Sequence, residues 1–373
     1  MKYVKEFESC LFMLLLFEVF KRVFTRFIAG RVNCLFLFVH LLFICALIST
    51  RPAMLFSSDN AVLAIDDFHP VFYSKLEEAG IQYKYLPNFN LDENLTELRQ
   101  SPIVAVRSKL SFNSELIEGL PALRCIARGG AGMDNIDEKA AEKHKITLLN
   151  APEGNRDAVA EHAMGMLLSI SNHVNQAADE VRNGIWNRES NRGWEIGGKT
   201  VGIIGYGNTG TAFAKRLCGF DCEVLAYDKY KQDWNDQFAV KVGLKELYSK
   251  SDIVSYHVPL TAETKYMISG SEIAKMKDGV VLLNTARGNL ARNADLLLAL
   301  RNGKIKALGL DVLEHENPEM MSVDERSEFD ELVRNPRVLV TPHVAGWTTE
   351  SYKKIASILA DKIIDFTMKM KNI

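Results

Sequence analysis

The chain has 373 residues, 47% of them apolar and 25% charged, with a net charge of −2. Those are ordinary globular proportions, and with no basic excess or basic run no nucleic-acid partner is expected. The length exceeds what one hydrophobic core usually serves, so two domains are expected.

The first 53 residues read differently from the rest. Leu11 to Phe20 is apolar apart from Glu18, then come Lys21, Arg22, Arg26 and Arg31, and Cys34 to Thr50 is apolar apart from His40. The second run falls short of the roughly 20 residues of a spanning helix, yet it would cross a thin bilayer or serve as a signal-peptide core. Basic residues precede it, so insertion would send the remainder across the membrane. Three readings stay open: a mis-assigned upstream start with Met54 as true initiator, a membrane anchor, or a partner-binding extension.

From Asn60 the chain alternates between short apolar runs and helical patterns. Strands are predicted at Ala61 to Ile65, Ile81 to Tyr85, Ile103 to Val106, Arg124 to Ala127 and Ile146 to Leu149. Helices are predicted at Val71 to Ala79, Leu91 to Leu98, Ser114 to Leu120 and Asp137 to Lys143. Such alternation implies parallel strands with crossover helices. A proline-free helical pattern, Asp157 to Asn183, then suits a connector between domains.

The stretch Lys199 to Ala214, KTVGIIGYGNTGTAFA, runs from a buried-type strand through a glycine turn into a helix. Gly205, Tyr206, Gly207, Asn208, Thr209 and Gly210 form a GxGxxG loop whose glycines permit the turn, the approach of a pyrophosphate and close helix–strand packing. The helix start offers unpaired N–H groups to the phosphates. Asp228 ends the next strand, 18 residues on (228 − 210), where a carboxylate accepts ribose hydroxyls and repels a 2′-phosphate. This makes NAD the expected cofactor, although Lys229 and Lys231 lie close by. It also makes the cytoplasm the expected compartment.

Further strands are predicted at Glu223 to Tyr227, Ile253 to His257, Val280 to Asn284, Ala307 to Leu310 and Val338 to Val340. Helices are predicted at Thr209 to Gly219, Leu244 to Ser249, Ser271 to Lys275, Asn293 to Asn302 and within Ser322 to Val333. Six parallel strands led by a glycine fingerprint describe a Rossmann-type doubly wound sheet, which binds ligands beyond its strand carboxyl ends. Those ends carry His257, Val258 and Pro259, then Thr285, Ala286 and Arg287, then Asp311 with Glu316, then Thr341-Pro342-His343. A guanidinium pairs with a carboxylate and polarises a carbonyl, a histidine passes a proton, and a carboxylate orients the imidazole. Each alone is also an ordinary surface charge or loop residue. His257 to Pro259 read as an adenosine-pocket wall, and Asp311 as an acceptor for the nicotinamide carboxamide or else a buried cap. Cys10, Cys34, Cys45, Cys125, Cys218 and Cys222 form no CxxC pair or Cys/His cluster, so a reduced protein without metal is expected.

The fingerprint with Asp228, HVP at 257 to 259, NTARG at 284 to 288, LDVLEHE at 310 to 316 and TPHVAG at 341 to 346 resembles the D-isomer-specific 2-hydroxyacid dehydrogenases, from about Ala61 to the C-terminus. The resemblance implies Arg287, Glu316 and His343 as catalytic residues and Gly346 at the cofactor. Glu316 is preferred to Glu314 because it lies five residues after Asp311. Asn317 stands where the family usually has proline directly after this glutamate. The resemblance also implies a substrate side built from Arg107, Ser108, Arg128, Gly129, Gly130, Ala131, Gly132 and Asn155. Its topology would be a discontinuous flavodoxin-like α/β substrate domain, 54–151 and 342–373, around an NAD domain, 152–341. Homodimers through the NAD domains would use the connector helix and the loop holding Trp186 and Trp194, tryptophans that suit either an interface anchor or a core position.

Within the family the substrate side most resembles D-3-phosphoglycerate dehydrogenases of a short form, for which no serine feedback is expected. Asn172, where those enzymes often carry Arg, and Arg156-Asp157 depart from that pattern. Hydroxypyruvate or glyoxylate reductase is the alternative, and a dinucleotide-sensing corepressor the alternative from another class.

Overall fold

The computed structural model describes residues 62–371 except 232 and 235, so the readings of residues 1–53 lie outside the described residues. Strands β1 (Val62–Ala64), β2 (Tyr83–Tyr85), β3 (Ile103–Val106), β4 (Cys125–Arg128) and β5 (Thr147–Leu149) form a parallel sheet in the order β2-β1-β3-β4-β5. β3 reads IVAV and is buried throughout, as expected where helices cover both faces. Alternate side chains then serve two cores. Val62, Ala64, Ile103, Ala105, Cys125 and Ala127 enter one, and Leu63, Val104, Val106 and Ile126 the other.

The second sheet is also parallel. It is built from β6 (Thr200–Ile204), β7 (Glu223–Tyr227), β8 (Val240–Lys241), β9 (Ile253–Tyr256), β10 (Val280–Asn284), β11 (Ile305–Leu310) and β12 (Val338–Val340). Its order is β12-β11-β10-β9-β6-β7-β8, one strand more than the six expected. β8 is two exposed residues paired on the edge of β7, too short to give a periodic signal.

Four helices cover the first sheet's connections: α1 (Val71–Glu78), α2 (Leu91–Gln100), α3 (Ser114–Glu118) and α4 (Glu138–Lys143). The predicted connector is two helices, α5 (Pro152–Ser171) and α6 (Val174–Arg182). His173 breaks them with a left-handed φ of 53°, a conformation that needs no glycine or proline to stop a helix. α7 (Asn208–Leu217), α8 (Leu244–Lys250), α9 (Gly270–Ile273), α10 (Asn293–Arg301) and α11 (Val323–Arg334) serve the second sheet.

The last helix, α12 (Thr349–Lys371), follows the second sheet but packs on the first. Ala356, Leu359, Ala360 and Ile363 recur at i, i+3, i+4 and i+7, all buried with β1 and with Phe72 and Leu76 of α1. Burial of Leu359 or Ile363 contributes about 1.5–3 kcal/mol each.

Both strand orders reverse once, between β1 and β3 in the first sheet and between β6 and β9 in the second. Ligands in open α/β sheets bind beyond the strand ends at such points. Asp66, Arg107, Gly205 and His257 all lie just past those four strands.

Candidate active site

At the second sheet's reversal Gly205 has φ 91° and donates its N–H to Tyr227 O at 2.8 Å. A β-carbon there would lie 2.5 Å from His257 O, and one on Gly210 would collide with Gly205 O. At Gly207 a β-carbon would meet no protein atom within 4 Å. The protein itself therefore demands the first and third glycines and leaves the middle one open to a ligand. No side chain caps α7, so the N–H groups of Asn208, Thr209 and Gly210 stay available. This cradle fits a pyrophosphate.

Two neighbours are engaged by the protein itself. Tyr206 is fully buried, its hydroxyl donating to Asp236 Oδ1 at 2.6 Å and its N–H to Asp228 Oδ2 at 2.8 Å. It is part of the core under the loop and has nothing to offer a phosphate. Asp228 also takes the N–H groups of Tyr230 and Lys231, both at 2.9 Å, so the carboxylate holds the loop as well as facing the cradle's edge. His257 is buried, with Nε2 2.8 Å from Ser255 Oγ and Nδ1 unpartnered. Burial pushes its pKa down to about 4, so it is neutral at physiological pH and fits a wall beside Val258 and Pro259.

The second cluster lies past β10, β11 and β12. Glu316 Oε2 is 3.0 Å from His343 Nδ1. A carboxylate only accepts, so Nδ1 carries the proton. Nε2 has no protein partner among the described residues. The Glu316 hydrogen bond raises the imidazole pKa above its usual value, against burial and the Arg287 charge, which lower it. Glu314 is spent elsewhere, accepting from Asn293 N at the start of α10 at 3.0 Å. Asn317, the intervening residue, accepts from Glu319 N at 3.1 Å and so starts the 3₁₀ turn Pro318–Met320.

His343 has a left-handed φ of 56°, a strained setting for a non-glycine residue. Asp311 holds that loop. It is 1% exposed and accepts from Thr341 Oγ1 at 2.6 Å, Val344 N at 2.9 Å and Ala345 N at 2.8 Å, while its carbonyl takes His343 N at 2.8 Å. Of the two roles open to Asp311, the geometry displays the buried cap. His162 of α5 backs it, with Nε2 2.9 Å from Thr341 Oγ1.

Arg287 extends toward the first sheet and meets Asp134 in a bidentate pair, Nε–Oδ1 2.9 Å and Nη2–Oδ2 2.8 Å, with Nη1 donating to Ala286 O at 2.6 Å. Burial would raise the Asp134 carboxyl, but Arg287 outweighs it and holds it below the usual range. Thr285 is buried with its hydroxyl unpartnered, and Ala286 N donates to Asn284 Oδ1 at 3.0 Å.

The loop after β4 gathers three guanidiniums. A β-carbon on Gly129 would lie 2.6 Å from Phe68 Cε1 and 3.0 Å from Arg107 Cγ, one on Gly130 would collide with Arg128 Nη1, and one on Gly132 with Arg287 Nη2. The glycines make room for arginines. Burial and the charges of Arg287 and Arg107 lower the Arg128 pKa. Among the described residues neither Arg107 nor Arg128 has a carboxylate partner. Gly129 N and Gly130 N are consumed by Val106 O and Arg128 O, at 2.7 and 2.9 Å, leaving Ala131 and Gly132 as the unpaired donors. Ser108 likewise donates its N–H to Asp66 Oδ2, which also takes those of Arg107 and Lys109. Gly346 shares a pocket with Arg107, Gly129 and Trp347, with Asn155 Nδ2 2.6 Å from where its β-carbon would be. Asn155 Oδ1 is buried without a partner. Asn172 bonds only its own helix end, at Leu168 O and Ser171 Oγ.

Asp66, His162, Trp347 and Tyr352 escaped the sequence reading, because none lies in a recognisable motif, and Asp134, though in the RGGAGMDN stretch, has no role legible there. Asp134 and Asp66 carried the one available signal, a carboxylate one or two residues past a strand or glycine loop. Among the described residues no three His, Cys, Asp or Glu side chains are grouped to hold a metal ion. No helix among them is long and apolar enough to cross a membrane.

A dinucleotide cradle beside a histidine–carboxylate pair and a fixed guanidinium defines an NAD-dependent oxidoreductase of hydroxy acids. The family model "D-isomer specific 2-hydroxyacid dehydrogenase, NAD binding domain" matches residues 164–345. A hydroxypyruvate reductase of Thermotoga maritima is 38% identical over 272 residues, 73% of this chain and 87% of that protein. A D-3-phosphoglycerate dehydrogenase of Archaeoglobus fulgidus is 35% identical over 78% of this chain and 54% of its own length, so the chain spans about half of that relative. The crystal structure of D-lactate dehydrogenase from Aquifex aeolicus, complexed with NAD and lactic acid, matches with a TM-score of 0.72 at 28% identity, covering 83% of this chain and 96% of that one. The chain belongs to the D-isomer specific 2-hydroxyacid dehydrogenase family. It is an NAD-dependent oxidoreductase.

Proposed function

We propose that the chain is a D-3-phosphoglycerate dehydrogenase, oxidising the 2-hydroxyl of a D-acid that carries a second anion. The observation that carries this reading is the set of three arginines around the 129–132 loop, two of them without a carboxylate partner. A monoanionic acid needs one guanidinium, whereas a carboxylate plus a phosphate matches all three. In this reading Arg287 and the N–H groups of Ala131 and Gly132 bind the C1 carboxylate, and Arg107 and Arg128 bind the phosphate.

His343 Nε2 takes the proton of the C2 hydroxyl, and the imidazolium so formed is stabilised by Glu316 at Nδ1. Bound NAD supplies the hydride acceptor for C2. In the reverse direction protonated His343 gives its proton to the forming alkoxide oxygen, while Arg287 polarises the carbonyl.

A second reading is a hydroxypyruvate reductase, favoured by the 38% identity to the Thermotoga protein over most of its length. Initial rates with D-3-phosphoglycerate, D-glycerate, hydroxypyruvate and phosphohydroxypyruvate, each with NAD or NADH, separate the two. The proposal expects kcat/KM at least tenfold higher for the phosphorylated member of each pair. Equal or higher kcat/KM for hydroxypyruvate would replace it with the reductase reading.

A further inference from the structure

Arg107 has a setting that the other two arginines lack. Its guanidinium carbon lies 4.6 Å from the Trp347 ring centroid and 5.4 Å from that of Tyr352. Trp347 is the fourth residue after His343, at the end of the catalytic loop, and Tyr352 is in the first turn of α12. Arg107 itself follows β3 of the first sheet. The backbone under the rings is fixed: Trp347 N donates to Val344 O at 2.8 Å, Thr348 and Ser351 exchange N–H bonds at 3.0 Å each, and Ser351 Oγ donates to Gly346 O at 2.6 Å. Tyr352 is braced by an edge contact to His69, centroids 5.7 Å apart. Trp347, 64% exposed, has no burial of its own to keep it there. It lies beside the Tyr352 ring, centroids 6.4 Å apart, with the Arg107 cation over its face.

We propose that Trp347 and Tyr352 are specificity-determining residues, which hold the Arg107 guanidinium in place for the distal anion of the substrate. This rests on the phosphoglycerate reading above. A free arginine side chain on a strand end samples many rotamers, and each one immobilised on binding costs affinity. Ring faces attract the cation while leaving its N–H edge to an anion, since a π face takes no hydrogen-bond geometry from the guanidinium plane. Because the rings sit on the catalytic loop and on the helix that follows it, the distal clamp is built next to the proton-transferring His343. Arg107 therefore selects for a second negative charge only with the aromatic pair in position.

The test uses the purified full chain with NAD and compares D-3-phosphoglycerate with D-glycerate. Trp347→Leu should raise KM for the phosphorylated acid by roughly three- to thirtyfold, the range expected for a cation–π contact, with kcat and the D-glycerate parameters little changed. Trp347→Phe should recover most of the loss, and Arg107→Met combined with Trp347→Leu should be no worse than Arg107→Met alone. A purely structural role would lower both substrates' kcat/KM together and would overturn the proposal. So would an unchanged preference in Trp347→Leu when the wild type favours the phosphorylated acid. A wild type with no such preference instead defeats the phosphoglycerate reading, and this inference falls with it.

Discussion

At the scale of single residues the chemistry depends on how Glu316 sets His343. The pair raises the imidazole pKa above its ordinary 6.5, so the charged pair is complete below that pH and is lost as pH rises through the folded-state value. Reduction needs the imidazolium, and its kcat/KM should fall only above that raised value. Oxidation needs the neutral ring and should climb over the same interval. In Glu316→Gln the anion is gone while burial and Arg287 still disfavour the cation, so both profiles should move to lower pH, and reduction at pH 7 to 8 should slow. Profiles of kcat/KM in both directions check this, and superimposable wild-type and variant curves would mean that Glu316 does not tune the ring. His343→Ala removes the proton acceptor outright. Turnover should fall by roughly 10² to 10⁴, with NADH affinity by fluorescence titration unchanged, because no atom of His343 takes part in the glycine cradle.

Among the elements, α5 shows what sequence could and could not disclose. Strand positions were legible wherever a run was apolar and bounded, as at β3, β7, β10 and β12, whose limits match the expectation. The break at His173 was not, since helical periodicity continues through it and only a left-handed φ marks it. The motif residues were legible as identities, but their bonding was not. That Asp228, Asp66 and Asp311 hold loop backbone follows from which N–H groups the turns leave unpaired, and spacing along the chain does not encode that. The same helix carries two glycines of opposite meaning. A β-carbon on Gly154 would lie 2.7 and 2.8 Å from the Ile355 backbone of α12, whereas one on exposed Gly165 would meet nothing within 4 Å. Gly154→Ala should therefore destabilise by about 1–3 kcal/mol through overpacking, and Gly165→Ala should stabilise by about 0.5–1 kcal/mol by stiffening the unfolded chain. Urea midpoints of the two variants against wild type give the signs directly. Two shifts in the same direction would contradict the packing of α5 on α12.

For the molecule as a whole, α6 poses the outstanding packing question, because it contains no buried residue. Val174 and Val181 are seven apart and so share one face, 53% and 52% exposed, and Ile185 and Trp186, in the loop after the helix, are 51% and 81% exposed. Trp194, open to an interface or a core role, packs half-buried against the second sheet's core with Lys306 Nζ 4.9 Å over its ring. The sequence offered two tryptophans on equal terms, and only burial by neighbours distant in the chain separates them. Apolar side chains grouped on one exposed helix face mark an association surface, and a homodimer about a two-fold axis needs just one such self-complementary patch. The expectation is that the purified chain sediments at twice its monomer mass at micromolar concentration. Val181→Glu together with Trp186→Glu puts two charges per chain on this exposed apolar region and should shift the boundary to monomer while leaving the far-ultraviolet circular dichroism unchanged. Neither residue belongs to the catalytic or cofactor cluster, so NADH binding by the separated monomer should persist. A wild-type chain that sediments as monomer, or a double variant that stays dimeric, would assign the α6 face to some other partner.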